Sequence, residues 1–228
     1  MGRGAQGSRE NRKDCVAPGR ENAHVSCVIH RIAALVLACF LAGCAKDTIH
    51  TMVVSIPSQK MALYTKGELT KVYDVSTSRF CVSCSEGTNG TPLGRHEIAE
   101  KIGGGQPSGM KFKSRRPTGE IVEPNAPGRD PIVTRILWLK GLESRNRNSH
   151  SRCIYIHGTP EEWRIGTPAS FGCIRMRSRD VMDLYRRVGE GAVVDIENSP
   201  LELPKPKSES IPVGPQVAMA QVAQPNPR

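Results

Sequence analysis

Two side chains in this sequence of 228 residues have the types and setting for covalent chemistry. His157 ends the apolar run Cys153-Ile-Tyr-Ile-His157. Cys173 stands between Gly172 and Ile174 in Ala169-Ser-Phe-Gly-Cys-Ile-Arg175. A free thiol ionises near pH ~8.5, and an imidazolium beside it lowers that value, so a Cys–His pair supplies a nucleophile at neutral pH. Gly172 lets backbone and substrate approach the sulfur closely. The Cys173 N–H, with a neighbour, could meet a developing oxyanion. Arg175 has the planar fork that grips a carboxylate. Residue types alone leave a blander reading open, with His157 as a core histidine and Cys173 as a buried thiol.

The elements that must position the pair read as mostly strands. Met52–Ile56, Met61–Thr65 and Leu69–Val75 are short apolar or alternating runs separated by Pro57-Ser58-Gln59-Lys60 and Lys66-Gly67-Glu68, the pattern of hairpins. Arg95–Ile102 and Ile132–Leu139 are further strands. Cys153–His157 is another, with Cys153, Tyr155 and His157 on one face and Ile154 and Ile156 on the other. Residues 103–131, rich in Gly, Pro and basic side chains, read as one long loop, either a functional lid or a solvated insertion. One helix is expected, with Ser178 as N-cap and Val181, Leu184, Tyr185 and Val188 at helical spacing, stopped by Gly189. Gly191–Ile196 gives a last strand, and a Pro-rich tail follows from 198 to 228 as a disordered segment.

The start of the chain has a different character. Residues 1–31 are polar and basic, and Ile32 to Gly43 carry no charge. Twelve apolar residues are too few to span a bilayer, which takes ~20. They fit the core of a secretory signal, and residues 1–43 are therefore expected to be leader and signal. The leader is long for a signal, so translation starting further in, near Val25 or Val28, is expected. Leu41-Ala-Gly-Cys44 resembles the lipobox of bacterial lipoproteins. That resemblance implies cleavage before Cys44, lipid on its thiol and new N-terminus, and a short linker over 44–51. It places the protein on the extracytoplasmic side of a membrane. Ala45 rather than Asp after Cys44 points to the outer membrane if the cell is Gram-negative.

The net charge of +10 suits an anionic setting or partner. Nucleic acid is not the partner expected, because the basic residues are scattered and no helix-turn-helix, zinc-finger or stacking-aromatic pattern occurs. Cys81-Val-Ser-Cys84 is a C-x-x-C. No second such pair and no His-x-x-x-His exists, so a local disulfide is preferred over zinc, with Cys153 free or pairing instead. No metal and no cofactor is expected. His96 is expected at the surface and His150 in a solvated loop. Trp163 either lines the groove or packs its loop.

Ile156-His-Gly-Thr-Pro160 followed by Ala169-Ser-Phe-Gly-Cys-Ile-Arg-Met176 resembles the signature of L,D-transpeptidases with the YkuD-type catalytic domain. Val53 to Val75 is similar to that family's opening hairpin, and Val75-Ser-Thr77 with Thr91-Pro-Leu-Gly94 is similar to its next stretch. The resemblance covers roughly residues 51–197, so the catalytic domain is placed at 52–197. It implies a mostly β, sandwich-like fold with the Cys on a loop and one helix after it. It implies peptidoglycan cross-linking on tetrapeptide stem peptides, with release of D-Ala and no cofactor. Cys173 would be nucleophile and His157 base. Gly172 would sit in the oxyanion loop, Ser170 and Arg175 would shape the site and bind substrate, and Thr159 would support the histidine turn. The departure is Phe171, where the commoner pattern has a second His. Three alternatives stay in view: an L,D-carboxypeptidase or amidase of the same fold, a catalytically silent wall-binding lipoprotein, and a thiol redox protein using Cys81 and Cys84.

Overall fold

The computed structural model describes residues 45–203. The lipobox, Cys44 and the tail beyond 203 lie outside the described residues. Ten strands and one α-helix make up the domain over this span, in the order β1 (His50–Ser55), β2 (Lys60–Thr65), β3 (Glu68–Asp74), β4 (Gly94–Ile102), β5 (Met110–Lys113), β6 (Arg116–Ile121), β7 (Ile132–Gly141), β8 (Tyr155–Gly158), β9 (Ile174–Met176), α1 (Ser178–Arg187) and β10 (Val193–Glu197). A single 3₁₀ turn, Glu162–Arg164, lies between β8 and β9. The fold is mostly β, as the run of short strands and turns predicts.

Strands β1 to β3 form the expected meander, with the β2–β3 turn held by positive φ at Lys66 and Gly67. The sheet then runs β3-β2-β1-β10-β4-β7, so the last strand of the chain lies between the first and the fourth. β10 is parallel to β1 and antiparallel to β4. β8 pairs antiparallel with β7 and parallel with β9.

β7 is buried along most of its length. Leu137 and Leu139 enter a large core with Met52, Val54, Leu63, Ile156, Ile174 and Ile196. Ile136 and Trp138 face a second, smaller cluster with Met110, Phe112 and Tyr155. A strand covered on both faces has to be apolar at consecutive positions, and Ile132–Leu139 is. α1 packs Val181 and Leu184 into the large core.

Four expectations are corrected. Residues 103–131 are not one loop: they contain the β5–β6 hairpin, whose turn is formed by Ser114 and Arg115, both at positive φ. Ser178 is the first residue of α1 and not its cap. Arg177 occupies the cap position without a side-chain bond, Glu162 Oε1 accepts the Ser178 N–H at 2.7 Å, and the Ser178 hydroxyl pairs with Thr134 Oγ1 at 2.8 Å. His96 is fully buried, with Nδ1 on the Gly94 carbonyl and Nε2 on Ser149 Oγ. His150 stacks on Trp138 at 3.9 Å instead of lying free in solvent. Residues flanking the strands at both ends also bond to the domain. Asp47 accepts the Gly189 N–H at 2.6 Å, and Leu201 N–H donates to Ser58 at 2.9 Å.

Candidate active site

The parallel pair β8–β9 sets the site. Its register matches Ile156 with Ile174, His157 with Arg175 and Gly158 with Met176. Cys173 immediately precedes β9 and lies level with Tyr155. Side chains alternate along a strand, so Tyr155, His157, Cys173 and Arg175 share one face, with Ile156 and Ile174 in the core behind them. Cys173 and His157 are then diagonal neighbours on that face. The predicted facing of Cys153, Tyr155 and Ile154 also holds, although Cys153 itself stands before the strand at positive φ.

His157 is buried. Its Nδ1 lies 2.9 Å from the Gly158 carbonyl oxygen. A carbonyl only accepts, so Nδ1 carries the proton and Nε2 keeps its lone pair. Burial lowers the pKa of His157 to about 4, against the opposing pull of that carbonyl and of Asp130. The ring is therefore a neutral base at pH 7, oriented by its own backbone neighbour and not by a second histidine.

Cys173 is partly buried. Its Sγ accepts the Tyr155 N–H at 3.4 Å and donates to the Cys153 carbonyl at 3.4 Å. Burial pushes the thiol up to about 11, with the Tyr155 N–H and Arg175 pulling the other way. No hydrogen bond joins His157 and Cys173 among the described residues. The resting pair is thus thiol and imidazole rather than the ion pair that residue types suggest.

The loop before Cys173 is tightly specified. Ser170 Oγ donates to the Cys173 carbonyl at 2.6 Å and accepts the Gly172 N–H at 3.1 Å. Gly172 has φ +113°, and a Cβ there would stand 3.0 Å from the Gly90 carbonyl oxygen. Thr91 Oγ1 donates to the Gly172 carbonyl at 3.1 Å, tying the Thr91-Pro-Leu-Gly94 segment to the loop. Phe171 points outward, half exposed, against Phe80 at 5.2 Å between ring centres.

Arg175 does not present a free fork. It is buried, with Asp130 at 2.5 Å and Glu161 at 3.2 Å. Thr159 Oγ1 donates to the other oxygen of Asp130 and accepts the Glu161 N–H. Asp130 therefore clamps the turn after His157 to the strand after Cys173. Sequence reasoning missed it, because a single Asp in a Gly/Pro-rich stretch carries no pattern. The turn itself, Gly158-Thr-Pro160, was the available signal.

Cys81, Cys84, Cys153 and Cys173 are all unpaired, so the preferred local disulfide is not formed. Trp163 is 72% exposed and packs neither the groove nor the loop interior. Among the described residues no group of His, Cys, Asp and Glu is arranged to hold a metal, and no helix is long and apolar enough to cross a membrane.

The family described as the L,D-transpeptidase catalytic domain, YkuD, matches residues 49–196. A probable L,D-transpeptidase, YcfS of Escherichia coli (strain K12), is 35% identical over 74 residues, which is 27% of this chain and 23% of that protein. The matched stretch thus spans about a quarter of the relative's length. Among solved structures, L,D-transpeptidase 3 of Mycobacterium tuberculosis, in complex with a faropenem-derived adduct, is 17% identical with a TM-score of 0.44, covering 65% of this chain and 60% of that one. An L,D-transpeptidase from Mycobacterium smegmatis is 15% identical with a TM-score of 0.42, covering 65% and 58%. With the family's motifs seated on one face of β8 and β9, and its match spanning most of the described domain, the chain belongs to the YkuD family of L,D-transpeptidase catalytic domains.

Proposed function

We propose that this protein is a peptidoglycan L,D-transpeptidase working through a Cys173 acyl-enzyme. The observation that carries the reading is the shared face of Cys173 and His157, with Nε2 of His157 left as a base by the Nδ1 bond to Gly158. The thiol turns from the Cys153 carbonyl to Nε2 as substrate enters and loses its proton as sulfur attacks. The attacked carbonyl belongs to the residue before the terminal D-Ala of a tetrapeptide stem. The C–N bond breaks, imidazolium returns the proton to the leaving amine, and D-Ala departs. An amine from a second stem then attacks the thioester, with His157 again the base, and thiol is regenerated. Ser170 and Gly172 hold the nucleophile loop in place, and Thr159, Asp130 and Arg175 fix the two strands against each other. No cofactor takes part.

The lipobox over 41–44 supports an anchor on Cys44, which would tether the domain on the extracytoplasmic face of a membrane where peptidoglycan lies. Incubating the protein with a tetrapeptide-stem muropeptide tests the reaction. Mass spectrometry should show an acyl adduct on Cys173 and a dimeric product, both absent in Cys173→Ala. A wild-type protein that binds the stem without forming an adduct would refute it. Hydrolysed stem in place of dimer would reassign it to carboxypeptidase chemistry.

A further inference from the structure

Beside Phe171 opens a cleft of about 390 Å³ whose lining includes Arg79, Arg129, Asp130, Glu161, Arg164 and Arg175. Its lining carries four guanidinium groups against two carboxylates, so an anion is favoured there. The four cations are not equivalent. Arg175 is neutralised by Asp130 and Glu161, and Arg164 by Glu161. Arg79 and Arg129 have no carboxylate partner among the described residues.

Arg79 differs from Arg129 in how it is held. Its guanidinium lies 4.6 Å from the centre of the Phe171 ring and 4.9 Å from that of Phe80. The Arg79 N–H donates to the Ser170 carbonyl at 3.1 Å, which fixes its backbone to the catalytic loop. The two rings are each about half exposed and lie against one another, tilted by 53°. A guanidinium lying over aromatic faces keeps N–H groups free for a ligand, and the ring contacts narrow the conformations that binding has to select. A single residue, Gly172, separates Phe171 of this platform from Cys173. Phe171, a ring that can neither donate nor accept, acquires a role here as the seat of a cation.

The geometry points to Arg79 as the specificity-determining residue of this cleft, recognising a free carboxylate of the bound peptide by a forked pair of hydrogen bonds. Arg175, the residue whose type suggests that task, already has its fork occupied. The inference rests on the proposed reaction only for naming the ligand as a stem peptide. Its carboxylate is either the terminal one or an internal one.

Binding to the full chain carrying Cys173→Ala, measured by calorimetry, separates these cases. Three synthetic tetrapeptide stems serve as probes: one with all carboxylates free, one amidated at the C-terminus and one amidated at its internal carboxylates. The free stem should bind about ten-fold more tightly than the one amidated at the recognised group. Arg79→Gln should abolish that difference, Arg79→Lys should restore part of it, and Phe171→Leu should weaken it with the charge kept. Arg129→Gln should leave it within two-fold. Equal binding of all three stems, undiminished discrimination in Arg79→Gln, or no measurable binding would overturn the assignment. Adduct formation on Cys173 is scored separately. Discrimination that depends on Arg79 without an adduct sinks the reaction and keeps the subsite, and an adduct without discrimination does the reverse.

Discussion

At the scale of residues, His157 and Cys173 stand out in the sequence by type and neighbours, and their protonation states do not. A thiol next to a histidine suggests an ion pair. Burial on both sides makes the neutral forms the stable ones, with His157 lowered to about 4 and Cys173 raised to about 11. Acylation should therefore stay near its plateau between about pH 5.5 and 8 and fall only as His157 protonates near pH 4, rather than near the ordinary histidine value of ~6.5. A pH profile of kcat/KM for acylation checks this. Folding stability has the same sign. The unfolded chain takes up the His157 proton first, so stability falls as pH drops from ~6.5 towards 4. The role of Asp130 needed coordinates, because its partners Thr159 and Arg175 lie 29 and 45 residues away in sequence. Removing it leaves a buried guanidinium half paired, so Asp130→Ala should destabilise the fold by about 3 kcal/mol in urea titration. Asp130→Asn, which keeps a hydrogen-bond acceptor, should cost less.

At the scale of elements, most apolar strands were read, while the short β5 and β9 and the exposed β6 were missed. β1, β2, β3 and β7 fall within two residues of their predicted spans. β6, Arg116-Pro-Thr-Gly-Glu-Ile121, is exposed throughout and has only one large apolar residue, so no alternation marks it. It exists because β5 offers an edge, with Phe112 and Met110 packing under the hairpin. His96 shows the same limit from the other side. A histidine after an arginine reads as surface, yet two hydrogen bonds satisfy both ring nitrogens and permit full burial. The helix was legible in its apolar stripe but not in its cap, because Ser178 is drawn inward to Thr134. Leu184 fills the core under the sheet with no exposed surface. Leu184→Ala should cost about 3 kcal/mol, read as a lowered midpoint of chemical denaturation with unchanged slope.

At the scale of the whole molecule, the order of strands could not be read from local pattern. Neighbouring strands in sequence are the usual neighbours in space, and β10 departs from this by entering between β1 and β4. A chain ending at Ala192 would leave two bare edges in the middle of the sheet and lose Val194 and Ile196 from the core. It should remain unfolded by circular dichroism and amide exchange. A chain ending at residue 203 should melt close to the full-length protein, since the bonds of Ser199 and Leu201 to the β1–β2 turn are kept.

The central place of β10 also sets a clock on synthesis. Every earlier strand can emerge from a ribosome and find only part of its sheet. The gap closes when residue 197 is clear, by which time β8 and β9 have been waiting with their thiol and imidazole on an incomplete support. The face that carries Cys173 and His157 is thus left without its full support until almost the entire domain has been synthesised.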